Sequence, residues 1–321
     1  MTSRRTKLLV ILITLLITIT GCGPKHKEYN YSNFLLGAQC NIKFYYLGEE
    51  RAREIIDIID LELVRLDSLL NYFSENSLVT ELNRTSRIKA PGDIIYLVQL
   101  SDSVSRLTGG LFDITVAPLL QAWGFYDEDN RIPGPTEIQD ALKKVGYRRL
   151  RIKNDSLVVD PGVKVDFGGI AQGFAADRVG LILRQRHVRS AIIDIGGEVL
   201  VIGRSPEGRP WRVGIRNPRG KGIIETLQME DSAVSTSGDY EKFFIVNDKR
   251  YPHIIDPRTG QPAQNFSSVT IIAKDAAYAD AISTAVAVMG ADDGINFLDS
   301  LGIQGIIYYV DSGELKRKSN R

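Results

Sequence analysis

Val165-Asp166-Phe167-Gly168-Gly169-Ile170-Ala171-Gln172-Gly173-Phe174-Ala175-Ala176-Asp177-Arg178 reads as a strand that stops on two glycines and opens straight into a helix. A helix start of this kind offers N–H groups and the positive end of a dipole to an anion, and a pyrophosphate would suit it. Taken alone, Gly-Gly before a helix is more often a tight turn. The spacing is not the G-x-G-x-x-G of a dinucleotide-binding domain, and no strand-helix-strand unit surrounds it, so a nicotinamide fold is not supported. Outward from this segment the chain alternates short strand patterns at 148–152, 156–160, 163–167, 189–195, 198–203, 211–215, 223–229, 242–247 and 267–273. Helices are predicted over 49–70, 94–107, 136–145, 170–186 and 276–289, the first from the apolar stripe Ile56, Ile59, Leu63, Leu66 and Leu70. Strands in meanders with helices set apart from them give an α+β fold of antiparallel-rich sheets with packed helices.

Composition narrows the function. With 43% hydrophobic and 25% charged residues in 321, the chain is globular and long enough for a sizeable core. Forty Lys and Arg against 39 Asp and Glu leave no excess positive field, which argues against a nucleic-acid partner. Two Cys and three His (His26, His187, His253) cannot build a structural zinc cage or a disulfide framework, so a metal site here must use oxygen ligands.

Three segments carry candidate chemistry. The helix 276–289 is nearly all small or apolar, which makes its Asp280 anomalous, because an unpaired buried carboxylate is costly. Thr284 lies one turn on along the same face. Carboxylate, hydroxyl, carbonyl and phosphate oxygens are the ligand set of Mg²⁺, although a capping or ion-paired Asp explains the residue as well. Tyr251-Pro-His-Ile-Ile-Asp-Pro-Arg-Thr-Gly-Gln-Pro262 ends in a turn, and its His253 is suited to general-base work near neutral pH, or to a structural role. Ala233-Val-Ser-Thr-Ser-Gly-Asp-Tyr-Glu241 reads as a hydroxyl-rich turn that binds phosphate or merely closes a hairpin.

The N-terminus reads as an export signal, with Arg4, Arg5 and Lys7 before an apolar run from Leu8 to Ile19. Ile19-Thr20-Gly21-Cys22 resembles a bacterial lipobox, in which the Cys sulfur is acylated and becomes the new N-terminus. Residues 1–21 are then a lipoprotein signal peptide, 22–32 a polar tether and 33–321 the catalytic domain. The expected location is the extracytoplasmic, periplasmic face of a bacterial membrane. The signal carries three cations and no acid, so its removal takes the net charge from +1 to −2. Cys40, left alone, is expected to be a buried thiol.

The order and wording of the motifs carry more than any one of them. Leu35-Leu-Gly-Ala38, Leu111-Phe-Asp-Ile-Thr-Val-Ala-Pro-Leu119, Trp123-Gly-Phe125, Asp166-Phe-Gly-Gly-Ile-Ala-Gln-Gly173, Ser235-Thr-Ser-Gly-Asp239, His253-Ile-Ile-Asp-Pro-Arg-Thr-Gly260 and Ala279-Asp-Ala-Ile-Ser-Thr-Ala285 resemble the motif series of the ApbE family, the FAD:protein FMN transferases, from about residue 34 to 309. The resemblance implies a Mg²⁺-dependent enzyme that takes FAD as substrate, releases AMP and attaches FMN through its phosphate to a threonine hydroxyl of a target protein. Implied targets are subunits of Na⁺-translocating NADH:quinone reductase or of Rnf-type complexes. Residue by residue, it implies flavin contacts at Leu36, Tyr72, Leu111, Phe112, Asp113, Asp166, Gln172 and Ile254. It implies metal ligation by the Gly169 carbonyl with Asp280 and Thr284, and His253 as base with Asp256 next in line. Leu36 stands where Met is usual, Gln172 where Lys is common, and Glu198 where Asn is frequent. An FAD diphosphatase using water in place of threonine, and a lipoprotein that only stores FAD, are the competing readings.

Overall fold

The computed structural model describes residues 26–127 and 129–320; the signal segment and Cys22 lie outside them. In chain order, a hairpin of β1 (Lys27–Leu35) and β2 (Ala38–Tyr46) leads into α1 (Glu49–Leu70), α2 (Leu78–Thr85), β3 (Arg87–Lys89), α3 (Gly92–Leu107), α4 (Ala117–Ala122) and α5 (Pro135–Leu142). Then come β4 (Leu150–Lys153), β5 (Ser156–Val159), α6 (Ala171–Gln185), β6 (Ala191–Ile195), β7 (Glu198–Ile202), β8 (Trp211–Arg216) and β9 (Ile223–Met229). The chain closes with β10 (Ala233–Gly238), β11 (Phe243–Val246), β12 (Lys249–Pro252), β13 (Ser268–Ala273), α7 (Ala276–Met289), α8 (Ala291–Leu301), β14 (Gln304–Asp311) and β15 (Glu314–Ser319).

Eight strands form one sheet in the order β1-β2-β6-β7-β10-β13-β14-β15, each neighbouring pair antiparallel, as the α+β reading requires. Helices α6 and α7 pack on one face and against each other. On the other face the β8–β9 ribbon sets Ile215, Leu227 and Met229 against Val199, Val201 and Val234. Both faces of β7 are therefore covered, so its pattern is continuously apolar after Glu198, with Leu200 and Ile202 in the helix-side core and Val199 and Val201 in the ribbon-side core. Helix α1 buries Ala52, Ile55, Ile59, Leu63, Leu66 and Leu70. Its stripe passes through Ile55, and Ile56 is only partly covered.

Three local expectations change. The first strand of the described residues starts at Lys27, inside the stretch assigned to the tether. Tyr31 is buried and donates its hydroxyl to Asp60 Oδ1 at 2.7 Å, and Tyr29 stacks on Phe44. The outward residues Glu28, Asn30 and Ser32 are exposed and polar, which hides the strand in composition. Residues 233–238, read as a turn, are the strand β10: Ser235 and Ser237 reach Ser283 on α7 at 3.0 and 2.7 Å, while Thr236 meets Thr270 on β13 at 2.9 Å. Residues 163–167 alternate in burial but pair with no strand. Instead Asn83 clamps Val165, its Oδ1 accepting the Val165 N–H at 2.7 Å and its Nδ2 donating to the Val165 carbonyl at 2.9 Å, while the Asp166 N–H bonds the Ile114 carbonyl.

That clamp replaces a ladder with one side chain. Asn83→Ala leaves two backbone groups without partners and should lower unfolding stability by about 2–6 kcal/mol, at roughly 1–3 for each buried unsatisfied group. Urea denaturation measures it; a loss below about 0.5 kcal/mol would show that water replaces the clamp.

Candidate active site

A single cavity of about 510 Å³ gathers Leu36, Tyr72, Leu111, Phe112, Asp113, Asp166, Gly169, Gln172, His253, Ile254, Asp280 and Thr284. They arrive from the β1–β2 turn, the ends of α1 and α3, the start of α6, the segment after β12, and α7. Of the residues named from sequence for catalysis, flavin or metal, Asp256 alone is not on this wall. Its Oδ1 accepts the Arg258 backbone N–H at 2.8 Å, and both carboxylate oxygens pair with the Arg258 guanidinium at 3.1 and 3.0 Å. The Asp256–Gly260 turn consumes the carboxylate, so the structure does not place Asp256 as a base.

Asp280 is buried. Its Oδ2 accepts the Gly173 N–H at 3.1 Å, a bond that needs α6 and α7 in close approach. A methyl at Gly173 would meet the Ala276 carbonyl oxygen at 2.5 Å. Burial, with the charges of Glu241 and Asp177 adding to it, pushes the Asp280 carboxyl up. Thr284 lies one turn further along α7, and a methyl at Gly169 would sit 3.3 Å from its Oγ1. Carbonyl-bearing Gly169, Asp280 and Thr284 thus converge. Among the described residues no three His, Cys, Asp or Glu side chains are close enough to form a cage. One carboxylate, a hydroxyl and a backbone carbonyl nevertheless fit a hard cation that completes its shell with water and phosphate.

The α6 start is less open than the sequence suggests. The Gly168 N–H bonds Asp166 Oδ1 at 2.7 Å, the Ile170 and Ala171 N–H groups bond the Phe167 carbonyl, and the Gly173 N–H bonds Asp280. The positive end of the helix is thus spent partly on the protein's own carboxylate.

The cavity also has an aromatic wall. Tyr72 stacks on Tyr126 with centroids 4.2 Å apart and planes at 22°, and Phe73 meets both rings edge-on. The Tyr126 hydroxyl donates to Asp166 Oδ2 at 2.6 Å, so both Asp166 oxygens are held by protein donors. Asp113 is engaged in the same way, accepting from the Thr115 N–H and hydroxyl at 2.8 and 2.6 Å and from the Tyr147 N–H at 2.7 Å. Leu36 takes a positive φ of 55° in the hairpin turn, fixed by its N–H to Asp67 Oδ1 at 2.7 Å. Gln172 donates to the Leu36 carbonyl at 3.5 Å. At Gly196 a methyl would strike Gln172 Oε1 at 2.4 Å, so only glycine lets the β6–β7 turn pass there.

His253 has one ring nitrogen committed. Nδ1 lies 3.1 Å from the Lys242 carbonyl, which can only accept, so Nδ1 carries the proton and Nε2 keeps its lone pair. Burial, with the Lys242 charge second, lowers the imidazole to about 4, which keeps it a free base at neutral pH. Tyr126 and Lys242 also line the cavity and were missed in the sequence, as does Glu241, which the sequence placed in the Ala233–Glu241 segment without a role of its own. Tyr126 directly follows the Trp123-Gly-Phe125 motif, and Glu241 and Lys242 follow the Ser235–Asp239 motif, a proximity that was the only available signal.

The ApbE family model matches residues 36–307. The FAD:protein FMN transferase of Escherichia coli (strain K12) is 33% identical over 77% of this chain and 74% of its own length. Among solved structures, the ApbE protein of Thermotoga maritima superposes with a TM-score of 0.83 at 35% identity, covering 91% of this chain and 97% of that one. The flavinyl transferase ApbE of Pseudomonas stutzeri gives a TM-score of 0.85 at 29% identity, covering 92% and 96%. The match of sequence over most of the chain, and of fold over nearly all of it, has one meaning: this chain belongs to the ApbE family.

Proposed function

We propose that this protein transfers the FMN moiety of FAD to a threonine hydroxyl of a partner protein and releases AMP, in a Mg²⁺-dependent reaction. The observation that carries it is the one cavity in which Asp280, Thr284 and Gly169 converge on one side, Tyr72 on another, and His253 stands with a free Nε2. The names of the relatives support the same reading. In the reaction the threonine Oγ forms a bond to the FMN phosphorus, the bond from that phosphorus to the AMP oxygen breaks, and the threonine proton passes to His253 Nε2. Mg²⁺, when bound by Asp280, Thr284 and the Gly169 carbonyl, would neutralise diphosphate charge. Lys242 adds a second positive group on the cavity wall. Tyr72 offers a ring face to the isoalloxazine, and the Tyr126–Asp166 bond fixes the turn from which Gly169 presents its carbonyl.

The proposed setting is a lipoprotein anchored through Cys22 at the periplasmic face of a bacterial membrane. There a Na⁺-translocating NADH:quinone reductase or Rnf-type subunit would supply the threonine. Cys22→Ala should move the protein out of the membrane fraction without changing its activity in detergent. A processed Cys22→Ala protein that stays in the membrane would contradict the anchor.

Metal removal gives the second test. EDTA, or Asp280→Asn, should abolish FAD cleavage while the circular dichroism spectrum stays native, because the amide oxygen can still accept the Gly173 N–H and the substitution removes the ligand's charge. Turnover at the full rate in EDTA contradicts the metal requirement.

The third test concerns His253. Loss of a general base slows proton transfer by roughly a hundred- to ten-thousand-fold, so His253→Gln should slow single-turnover transfer by that factor with FAD affinity little changed. The imidazole is lowered to about 4; its base form is present above that pH and lost as pH falls through it. At saturating Mg²⁺ the rate should therefore stay level from pH 8 down to about 5 and drop below. A Gln variant transferring at the wild-type rate removes His253 from the mechanism.

A further inference from the structure

Glu198 opens β7 immediately after the Gly196–Gly197 turn, whose φ angles of 67° and 99° fix where the strand begins. Strand alternation puts Glu198 on the same face as Leu200 and Ile202, the face that α6 and α7 cover. The side chain lines the active cavity, only 6% of the residue is exposed, and among the described residues its Oε2 has no hydrogen-bond partner. A buried carboxylate in that condition either holds a proton or takes a cation from outside the chain.

The surrounding charges say which kind. The groups that act on Glu198 are Asp280, Glu241 and Asp194, all of its own sign, with the Ser235 hydroxyl as the one favourable contact. Glu241 has Arg216 and Lys242 to offset it. Asp280 has the Gly173 N–H and no cation. Two buried carboxylates of one cavity, from β7 and α7, thus lack a positive partner in the folded chain. A phosphate would be repelled by such a pair, and a neutral ligand would leave the charge unmatched; a divalent cation answers both.

We propose that Glu198 supplies a second carboxylate to the cation site of Asp280, Thr284 and the Gly169 carbonyl. The inference rests on the metal clause of the proposed function and adds β7 to the elements that hold the cation. Two carboxylates still leave positions for water and phosphate oxygens.

The test uses the EDTA-treated, desalted protein and Mn²⁺ alone, followed by electron paramagnetic resonance, with Mg²⁺ titrated by calorimetry. Glu198→Gln and Glu198→Asn should weaken cation affinity ten- to a hundredfold, the range for groups that tune a metal site, while Glu198→Asp should stay within tenfold of wild type. The melting temperature supplies a second sign. Glu198→Gln should gain less in melting temperature from added Mg²⁺ than the wild type does. Equal Mn²⁺ affinity in wild type and Glu198→Gln overturns the proposal and leaves the proposed function standing, as does a Glu198→Asp variant no tighter than Glu198→Gln. Absence of Mn²⁺ and Mg²⁺ binding by the wild type overturns both.

Discussion

A carboxylate at the buried contact of two helices sets the terms for the rest of this molecule. Asp280 sits on a helix of alanines and valines, and among the described residues its carboxylate accepts the Gly173 N–H across the α6–α7 contact. That bond exists because Gly173 has no side chain to hold the helices apart. The same contact brings the Gly168–Gly169 turn beside Thr284. Layers of β10 and β13 hold α7 from below, and the hydroxyls of Ser235 and Ser237 meet Ser283, whose own hydroxyl bonds the Asp280 carbonyl at 2.9 Å. A polar seam of this kind, fully hydrogen-bonded, fixes the helix in rotation and register where an apolar seam would let it slide.

The two ends of the cavity are built on different principles. Around Asp280 and Glu198, carboxylates are short of positive partners among the described residues, an electrostatic demand that the proposed cation would meet. At the aromatic end, Asp113 and Asp166 have every charge-bearing oxygen satisfied by protein donors. Those two acids shape the pocket by holding turns, while Tyr72, Leu36 and Ile254 present surface. Acidic residues that line one cavity thus do opposite work, and hydrogen-bond accounting separates them.

Much of this was legible in the chain. Periodicity gave α1 and α7 with their observed ends, because each has a burial stripe or an apolar run long enough to outvote local exceptions. Elements whose partner is a side chain or a polar face were not legible. Val163–Phe167 looks like a strand and is one in shape, but Asn83, 82 residues earlier than Val165, takes the place of its neighbour. Serines in β10 read as a turn because their hydroxyl partners lie on a helix far along the chain. Asp256 looked available until Arg258, two residues on, was seen to hold it. Tyr126 carries no motif of its own and Glu198 was marked only by the resemblance, and only the fold shows one closing on Asp166 and the other facing the cavity with an oxygen that has no partner among the described residues.

The central claim is that the flavin phosphate passes to a threonine and not to water. The most direct measurement is the intact mass of a purified Nqr- or Rnf-type acceptor domain after incubation with this protein, FAD and Mg²⁺, alongside the same domain with its acceptor threonine changed to valine. The account predicts that the threonine form gains the mass of one FMN less one water, with one AMP released per flavin attached, and that the valine form gains nothing. FAD consumed to FMN and AMP with the acceptor mass unchanged would contradict it and make the protein a hydrolase.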